Sequence, residues 1–226
     1  SRDVSAAYPD RLAHLRALFD SEARRNHVFP MFDDPLPLLV PEVRIPITAP
    51  GRYRFYPGDW RYHEGTFPSV MNRSWAVEAD LIAPPGGGSG ALVTQGSRFG
   101  GWGLLVLKGV PTFVYRNNLV DGVRLQAPAA LARGRHRIRV DFTVDGPGFG
   151  RGGSFTLSVD GKPVGSDRID RTVAFKFSYE PAMVGRTAGP SLLDDYRPPF
   201  VYDGQLGPVS VDLRPLQLPR GALGAQ

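Results

Sequence analysis

The feature that most constrains the fold of this chain is the strict alternation of side chains in HRIRVDFTV, residues 136–144. One face of an extended segment would carry His136, Ile138, Val140, Phe142 and Val144, and the other Arg137, Arg139, Asp141 and Thr143. A period of two with one apolar and one charged face is typical of an antiparallel strand that is half buried. The segment therefore predicts a sheet with a solvent face.

Similar short apolar segments recur along the chain between turn residues. Residues 75–82 alternate in the same way, and VSVDL at 209–213 does so near the C-terminus. Between them lie ALVTQG, WGLLVL, TFVY, VRLQA, FTLSV and KPVGS. Glycine-rich turns at 86–90 and 146–153 and the hairpin signal Asp160-Gly161 separate these segments. About a dozen short strands of this kind predict a mainly β fold, an antiparallel β-sandwich of jelly-roll, concanavalin A or lectin-like type.

One amphipathic helix is predicted before the sandwich, over residues 9–25. Its apolar stripe consists of Leu12, Leu15, Phe19 and Ala23. Pro9 suits a first helical turn, and Asn26 followed by Pro30 indicates the stop. A helix with a single apolar stripe needs a partner surface.

The predicted domain organisation follows from these segments. Residues 1–32 form the helical part, and a stiff connector follows at 33–50, where five prolines hold the chain extended. The sandwich occupies 51–214 and a tail occupies 215–226. A chain that begins almost directly on a helix, without a methionine, also suggests a piece of a longer protein.

Composition excludes several classes of function. The chain has no cysteine, which removes thiolate nucleophiles and disulfide frameworks but leaves the compartment undetermined. The net charge of +5 comes from scattered arginines, so neither a nucleic acid nor a membrane is predicted as a partner. No segment approaches the roughly 18 consecutive apolar residues of a membrane span.

No metal or phosphate site is predicted. The four histidines are too far apart in sequence for a local metal motif, and both glycine-rich segments lead into strands rather than helices. The acidic pairs Asp33-Asp34 and Asp194-Asp195 could contribute oxygen ligands to calcium, but their spacing is not that of an EF-hand.

Aromatic residues are dense between 53 and 75, and most are expected to fill the core. The segment WRYHEGTFPSVMNRSW, residues 60–75, reads as a long loop with many polar side chains. In it, Trp60 and Tyr62 could stack on a sugar ring. The candidate substrate-contact residues are Trp60, Arg61, His63, Glu64, Asn72 and Arg73.

The chain also resembles a known family. The segments RYRFYPGDWRYHEGTFPSVMNRSWAVEADL, SGALVTQGSRFGGWGLLVLKG, RGRHRIRVDF, GFGRGGSFTLSVDGKPV, RTVAFKFS and YRPPFVYDGQLGPVSVDL are similar to the C-terminal region of bacterial arylsulfatases. The helix YPDRLAHLRALFDSEARRNHVFPM resembles the last helix of their catalytic domain. This chain departs from the family pattern at Arg186, Ser191 and Trp75, where aspartate, valine and histidine are usual.

The resemblance implies that catalysis belongs to a domain outside this chain. The family uses calcium and a formylglycine made from cysteine or serine in a C/S-x-P-x-R motif. The nearest match here is Thr48-Ala-Pro-Gly-Arg52, which starts with threonine and is taken as coincidence. No catalytic residue and no cofactor are therefore predicted in this chain.

Three functions remain open from the sequence. The first is a non-catalytic accessory domain of an arylsulfatase-like sulfuric ester hydrolase, which packs on the catalytic domain in cis and shapes the access of an aryl sulfate or sulfated carbohydrate. The second is a free-standing carbohydrate-binding module with Trp60, Tyr62 or Trp102 as stacking platforms and Arg61, Arg73 or Arg98 pairing with sulfate. The third is an oligomerisation surface without a ligand.

Overall fold

The predicted N-terminal helix is present as α1, Pro9–Arg25, after a single 3-10 turn at Ser5–Ala7. Pro9 stands at its start, and the side chain of Asn26 donates a 2.8 Å hydrogen bond to the carbonyl of Glu22 at its end. The structure, a computed structural model, describes residues 3–26, 28, 49–58, 61–63, 66–187 and 189–217. Most of the predicted connector, including Asp33-Asp34, and tail residues 218–226 lie outside this part of the chain.

The chain divides into two units, Ser1–Val40 and Pro41–Gln226, and the strands lie in the second. They are β1 Gly51–Phe55, β2 Trp75–Ala83, β3 Gly90–Ser97, β4 Gly100–Leu107, β5 Val110–Arg116, β6 Gly122–Gln126, β7 Gly134–Val144, β8 Arg151–Val159, β9 Lys162–Arg171, β10 Met183–Val184, β11 Arg186–Thr187, β12 Phe200–Val201 and β13 Gln205–Leu213. No helix among the described residues is long and apolar enough to cross a bilayer.

The strands form two sheets. The first has the order β1-β13-β2-β7-β8-β9, and the second has the order β11-β12-β3-β4-β5-β6 with β10 also paired to β3. Neighbouring strands are antiparallel throughout, except that β12 lies parallel to β3. The predicted mainly β sandwich preceded by one helix is confirmed.

The core lies between the two sheets and follows the predicted alternation. In β7, Ile138, Val140, Phe142 and Val144 are buried. Of the aromatic side chains of the 53–75 region that the structure describes, Phe55, Phe67 and Trp75 are buried in the core, and Tyr53 and Tyr62 are partly buried against it. Trp75 contacts Trp102 and Phe142, with ring centroids 5.5 and 5.8 Å apart. Among the described aromatic residues of this region, Tyr56 is the exposed one, at 55 %.

A second, smaller cluster lies on the other face of the second sheet. Residues 189–200, which we call the covering segment, place Leu192, Leu193, Tyr196 and Phe200 against Ala91, Leu105, Leu107 and Val114. Strands β3 to β5 are consequently buried on both faces, which explains why their sequences are continuously apolar rather than alternating.

The acidic pair of the covering segment is paired with arginines. Asp195 accepts a bidentate contact from Arg124 at 2.7 and 3.1 Å, and Asp194 pairs with Arg98. The structure therefore uses both carboxylates to hold the segment on the sheet. Among the described residues, no group of three or more histidine, aspartate or glutamate side chains could hold a metal ion.

The predicted hairpin at Asp160-Gly161 joins β8 to β9, and both residues have positive φ, 52° and 76°. The Asp160 carboxylate accepts hydrogen bonds from the backbone N–H of Arg137 and from Nδ1 of His136, each at 2.8 Å. Burial acts to raise the pKa of Asp160, but these hydrogen bonds outweigh it and hold the pKa below its usual value of 3.8.

We expect Asp160→Asn to lower the free energy of unfolding by about 1 kcal/mol at pH 7. Because the folded-state pKa lies below the unfolded value, the ionised carboxylate contributes stability above about pH 4, and this is lost as the pH falls through the folded pKa. Urea unfolding at pH 7 and pH 3 should show the difference between the proteins shrinking in acid. Asp170→Asn, at an exposed position of β9, is the control. An equal loss for Asp160→Asn at both pH values would contradict the assignment.

Candidate functional site

The loop that carries the candidate contact residues, between Phe55 and Trp75, connects β1 to β2, and we call it the contact loop. Its first half reaches the second sheet. An isolated antiparallel bridge joins Tyr62 to Ala182, with backbone hydrogen bonds of 2.8 and 2.9 Å. Arg61 and His63 flank this bridge and are exposed. Trp60 and Glu64 lie outside the described residues. The bridge therefore brings two of the six candidate residues beside the chain that enters β10.

The other two candidates, Asn72 and Arg73, lie elsewhere. Asn72 has a φ of 56°, and its side chain donates to the carbonyl of Ala174 at 2.6 Å and accepts from the N–H of Gly150 at 2.9 Å. Asn72 thus joins three loops. Arg73 is 0 % exposed, and burial lowers the pKa of its guanidinium to about 10, which still leaves it charged at neutral pH. Neither placement presents the side chain to a ligand in solution.

The proposed stacking role of Trp102 is wrong. Its side chain is 0 % exposed, and its indole N–H donates to the Gln95 side-chain oxygen at 3.0 Å inside the core. Tyr62 is half buried and packs edge-on against Phe55, with ring centroids 4.9 Å apart. Arg98, the proposed sulfate partner, is bound to the covering segment through Ser191 and Asp194. Contacts within the protein therefore determine the positions of all three side chains.

A pocket of about 330 Å³ lies where the contact loop meets the segment after β9, and we call it the loop-end pocket. Its polar and aromatic lining residues are His63, Gln95, Lys176, Phe177, Ser178, Tyr179 and Glu180. It belongs to the end of the sandwich formed by turns 98–99, 117–121 and 145–150 and by residues 172–181. Of the candidate residues that the structure describes, His63 lines this pocket.

Tyr179 is the most unusual residue of this pocket. Its side chain is 90 % exposed, and the Lys176 ammonium lies 4.5 Å from its ring centroid. An exposed aromatic ring is a surface on which an apolar ligand face can stack, and an adjacent cation favours an anionic substituent. Neither Lys176 nor Tyr179 is predicted as a ligand contact from the sequence, because no motif surrounds them.

The pocket is supported by backbone contacts to the rigid sheet. Ser178 N–H donates to the carbonyl of Gly100 at 2.9 Å, and Gly96 N–H donates to the carbonyl of Glu180 at 3.2 Å. The Gln95 side-chain oxygen accepts a hydrogen bond from the Trp102 indole in the core. Residues 178–180 are therefore fixed to the β3–β4 hairpin, and Tyr179 projects from an ordered support.

Exposed apolar side chains are concentrated around the same end of the sandwich. Phe99 lies on the β3–β4 turn, and Leu119 and Val120 lie on the β5–β6 turn, where Val120 is 86 % exposed. Phe175 is partly exposed and contacts Phe149, with ring centroids 5.2 Å apart. Monomeric proteins keep such surfaces small unless they bind something, so this end is the favoured location for a ligand.

Comparisons with known proteins give architectural similarity only. No protein-family model and no curated protein matches the chain. Among solved structures, it is similar to the Ruminococcus gnavus IT-sialidase CBM40 bound to α2,3-sialyllactose, at 13 % identity and a TM-score of 0.48, covering 72 % of this chain and 89 % of that chain. The mouse laminin α1 chain domains LG4-5 are 12 % identical with a TM-score of 0.44, covering 76 % and 41 %. A Limulus polyphemus SAP-like pentraxin is 12 % identical with a TM-score of 0.41, covering 73 % and 71 %. Similarity at this level assigns neither a family nor a ligand to this chain.

Proposed function

We propose that this chain is a non-catalytic carbohydrate-binding β-sandwich module and that the loop-end pocket is its ligand site. The observation that carries the proposal is Tyr179, 90 % exposed on a backbone held by the β3–β4 hairpin, with the Lys176 ammonium beside its ring. Sugar rings have an apolar face and polar edges, and an exposed tyrosine offers the matching surface.

The surrounding residues supply the polar contacts that a saccharide requires. Glu180 can accept hydrogen bonds from hydroxyl groups, and His63 can donate or accept them. A volume of about 330 Å³ lies at the lower end of the range for small-molecule sites. The pocket therefore suits one or two sugar units rather than a large enclosed ligand. Lys176 and the nearby Arg61 favour units that carry sulfate or carboxylate.

We expect Tyr179→Ala to weaken saccharide binding at least tenfold, about 1.4 kcal/mol, because the stacking surface is removed. The measurement is titration calorimetry with the saccharide selected by a glycan array of sulfated and unsulfated polymers. Tyr56→Ala is the matched control, since Tyr56 is also an exposed tyrosine but does not line the pocket. Unchanged affinity in Tyr179→Ala, or an equal loss in Tyr56→Ala, would contradict the proposed site.

The resemblance to arylsulfatases supports a second function for the same chain, that of an accessory domain of an arylsulfatase-like enzyme. The specific observation is α1, where Leu15 of the apolar stripe and the adjacent Leu18 are about half exposed, and the one buried residue of the helix is Ala23. Such a stripe suits a catalytic domain in cis, which would supply the calcium site and the formylglycine itself.

This second proposal predicts that the complete reading frame encodes a sulfatase domain with a C/S-x-P-x-R motif upstream of Ser1. It also predicts that the isolated chain does not hydrolyse an aryl sulfate such as p-nitrophenyl sulfate. An upstream frame without such a domain, or turnover by the pure chain, would contradict it. The two proposed functions are compatible, because a saccharide-binding module can accompany an enzyme that acts on sulfated saccharides.

A further inference from the structure

The solvent face of the first sheet is a network of paired charges. Arg52 and Arg139 approach the Glu78 carboxylate at 2.8 and 3.4 Å. Arg137 pairs with Asp80 at 2.8 Å across the β2–β7 register. Within this network each arginine has a carboxylate opposite or beside it, so the face needs no ligand to balance its charge.

Arg139, Arg137 and Arg135 lie on the same face of β7, and the series of ion pairs ends before Arg135. The residue opposite it on β2 is Ile82, not an acid. Ile82 is itself 38 % exposed. No ion pair or side-chain hydrogen bond of Arg135 exists within the described ranges, unlike Arg137 and Arg139. A guanidinium beside an exposed aliphatic side chain is thus left at one end of the sheet.

A groove of about 800 Å³ opens at this position, and we call it the outer groove. Its lining includes Asp80, Ile82, Arg135, Arg137, Gln205 and Pro208. The pairing of β13 with β2 is interrupted between Leu206 and Val209, and the residues of this irregularity line one side of the groove. The strand has Gly207 and Pro208 at this place, and proline has no N–H to donate to the neighbouring strand.

The acidic groups in the groove are already satisfied by the protein. Asp80 pairs with Arg137, and Asp160 accepts hydrogen bonds from His136 and from the Arg137 backbone. Among the described residues, neither carboxylate forms an ion pair with Arg135. The two arginines and two aspartates of the lining balance in formal charge, so the group that can bind an anion is Arg135 itself, which lies beside the apolar Ile82.

We propose that the outer groove is a second ligand site, for an acidic saccharide unit whose carboxylate or sulfate binds Arg135. The apolar face of the sugar ring would lie on Ile82 and Pro208, and the Gln205 amide and the Asp80 carboxylate would bind hydroxyl groups. The site is distinct from the loop-end pocket. It lies near Gly134 at the start of β7, whereas the loop-end pocket is near the opposite ends of the strands. Eleven residues of β7 separate the two ends, about 35 Å at the rise of a strand.

The test is amide NMR of the full chain titrated with three probes: a heparin-derived oligosaccharide, a neutral oligosaccharide of equal length, and sodium sulfate. We expect the heparin oligosaccharide to shift the amides of Ile82, Arg135 and Gln205, and the neutral one to leave them unchanged. Arg135→Ala should weaken this binding about fivefold or more. Arg133→Ala removes the same charge from an exposed position outside the groove and should leave it within twofold.

Tyr179→Ala separates this proposal from the proposed function. The groove shifts should persist in that variant, whether or not the loop-end pocket binds saccharide. Absence of groove shifts with the heparin oligosaccharide, or equal weakening by Arg133→Ala and Arg135→Ala, would overturn the second site. Sulfate ion alone shifting the same amides with the same affinity would overturn its assignment to a saccharide, since the sugar ring would then contribute nothing.

Discussion

Trp102→Ala should lower the free energy of unfolding by about 3–5 kcal/mol, which is a large part of the stability of an ordinary domain. The indole is fully buried between the sheets, where it contacts Phe67 and Trp75 at centroid distances of 6.3 and 5.5 Å. Alanine would leave a cavity and would also leave the Gln95 side-chain oxygen without its 3.0 Å hydrogen bond. Urea unfolding followed by circular dichroism measures the loss.

The control for this prediction is Tyr179→Ala, because that ring is 90 % exposed and buries little apolar area. We expect its unfolding midpoint to remain close to that of the wild type. Stability near wild type for Trp102→Ala would show that this indole is not part of the core, and would restore it as a candidate stacking platform. The same pair of variants thus separates the structural aromatic residues from the proposed ligand-binding one.

Gly90→Ala should be the most damaging glycine substitution, with an expected loss of about 4 kcal/mol or more. A Cβ at this position would lie 2.0 Å from the Cα of Tyr202 and 2.3 Å from its backbone nitrogen. Neither atom can move without displacing the chain after β12 from the start of β3. The φ of Gly90 is also +147°, a region that other residues rarely adopt.

Gly134→Ala is a close control for this second prediction, since Gly134 has a similar φ of +133°, but an added Cβ would have no described atom within 4 Å apart from those of its own residue and its two chain neighbours. The backbone strain is common to both variants, so the difference between their unfolding free energies reports the clash at Tyr202. Thermal unfolding followed by calorimetry of both variants checks this. Equal destabilisation would mean that β3 and Tyr202 are not in close contact.

The sequence predicts those strands that have one buried and one solvent-exposed face, because their side chains alternate between apolar and polar. In β7 the alternation identifies the buried face because one side faces the core and the other faces water. The Asp160-Gly161 hairpin is also predictable, because a two-residue turn with positive φ at both residues depends on the residue types of the turn itself. Helix α1 followed from its period and its end signals.

The candidate ligand residues were less predictable, and the reason differs from residue to residue. Arg73 and Trp102 are residue types common at binding sites, yet tertiary packing buries both. Asn72 reads as a polar loop residue, but its side chain bonds to backbone more than 70 residues away. Tyr179 belongs to no sequence motif. Its exposure, two residues after the buried Phe177, is visible only in the structure. Exposure of a single side chain is set by neighbours that are distant in sequence.

By itself, the sequence determined the class of this protein, a mainly β sandwich with one amphipathic helix, because local periodicity and turn chemistry are sufficient to specify individual strands. The tertiary structure decided which strands are neighbours, that residues 189–200 cover the outer face of the second sheet, and that His63 meets Tyr179 in one pocket. It also decided that Arg135 alone in its row faces an isoleucine. These features depend on long-range pairing, in which the free energy of a contact is gained only after distant segments have come together.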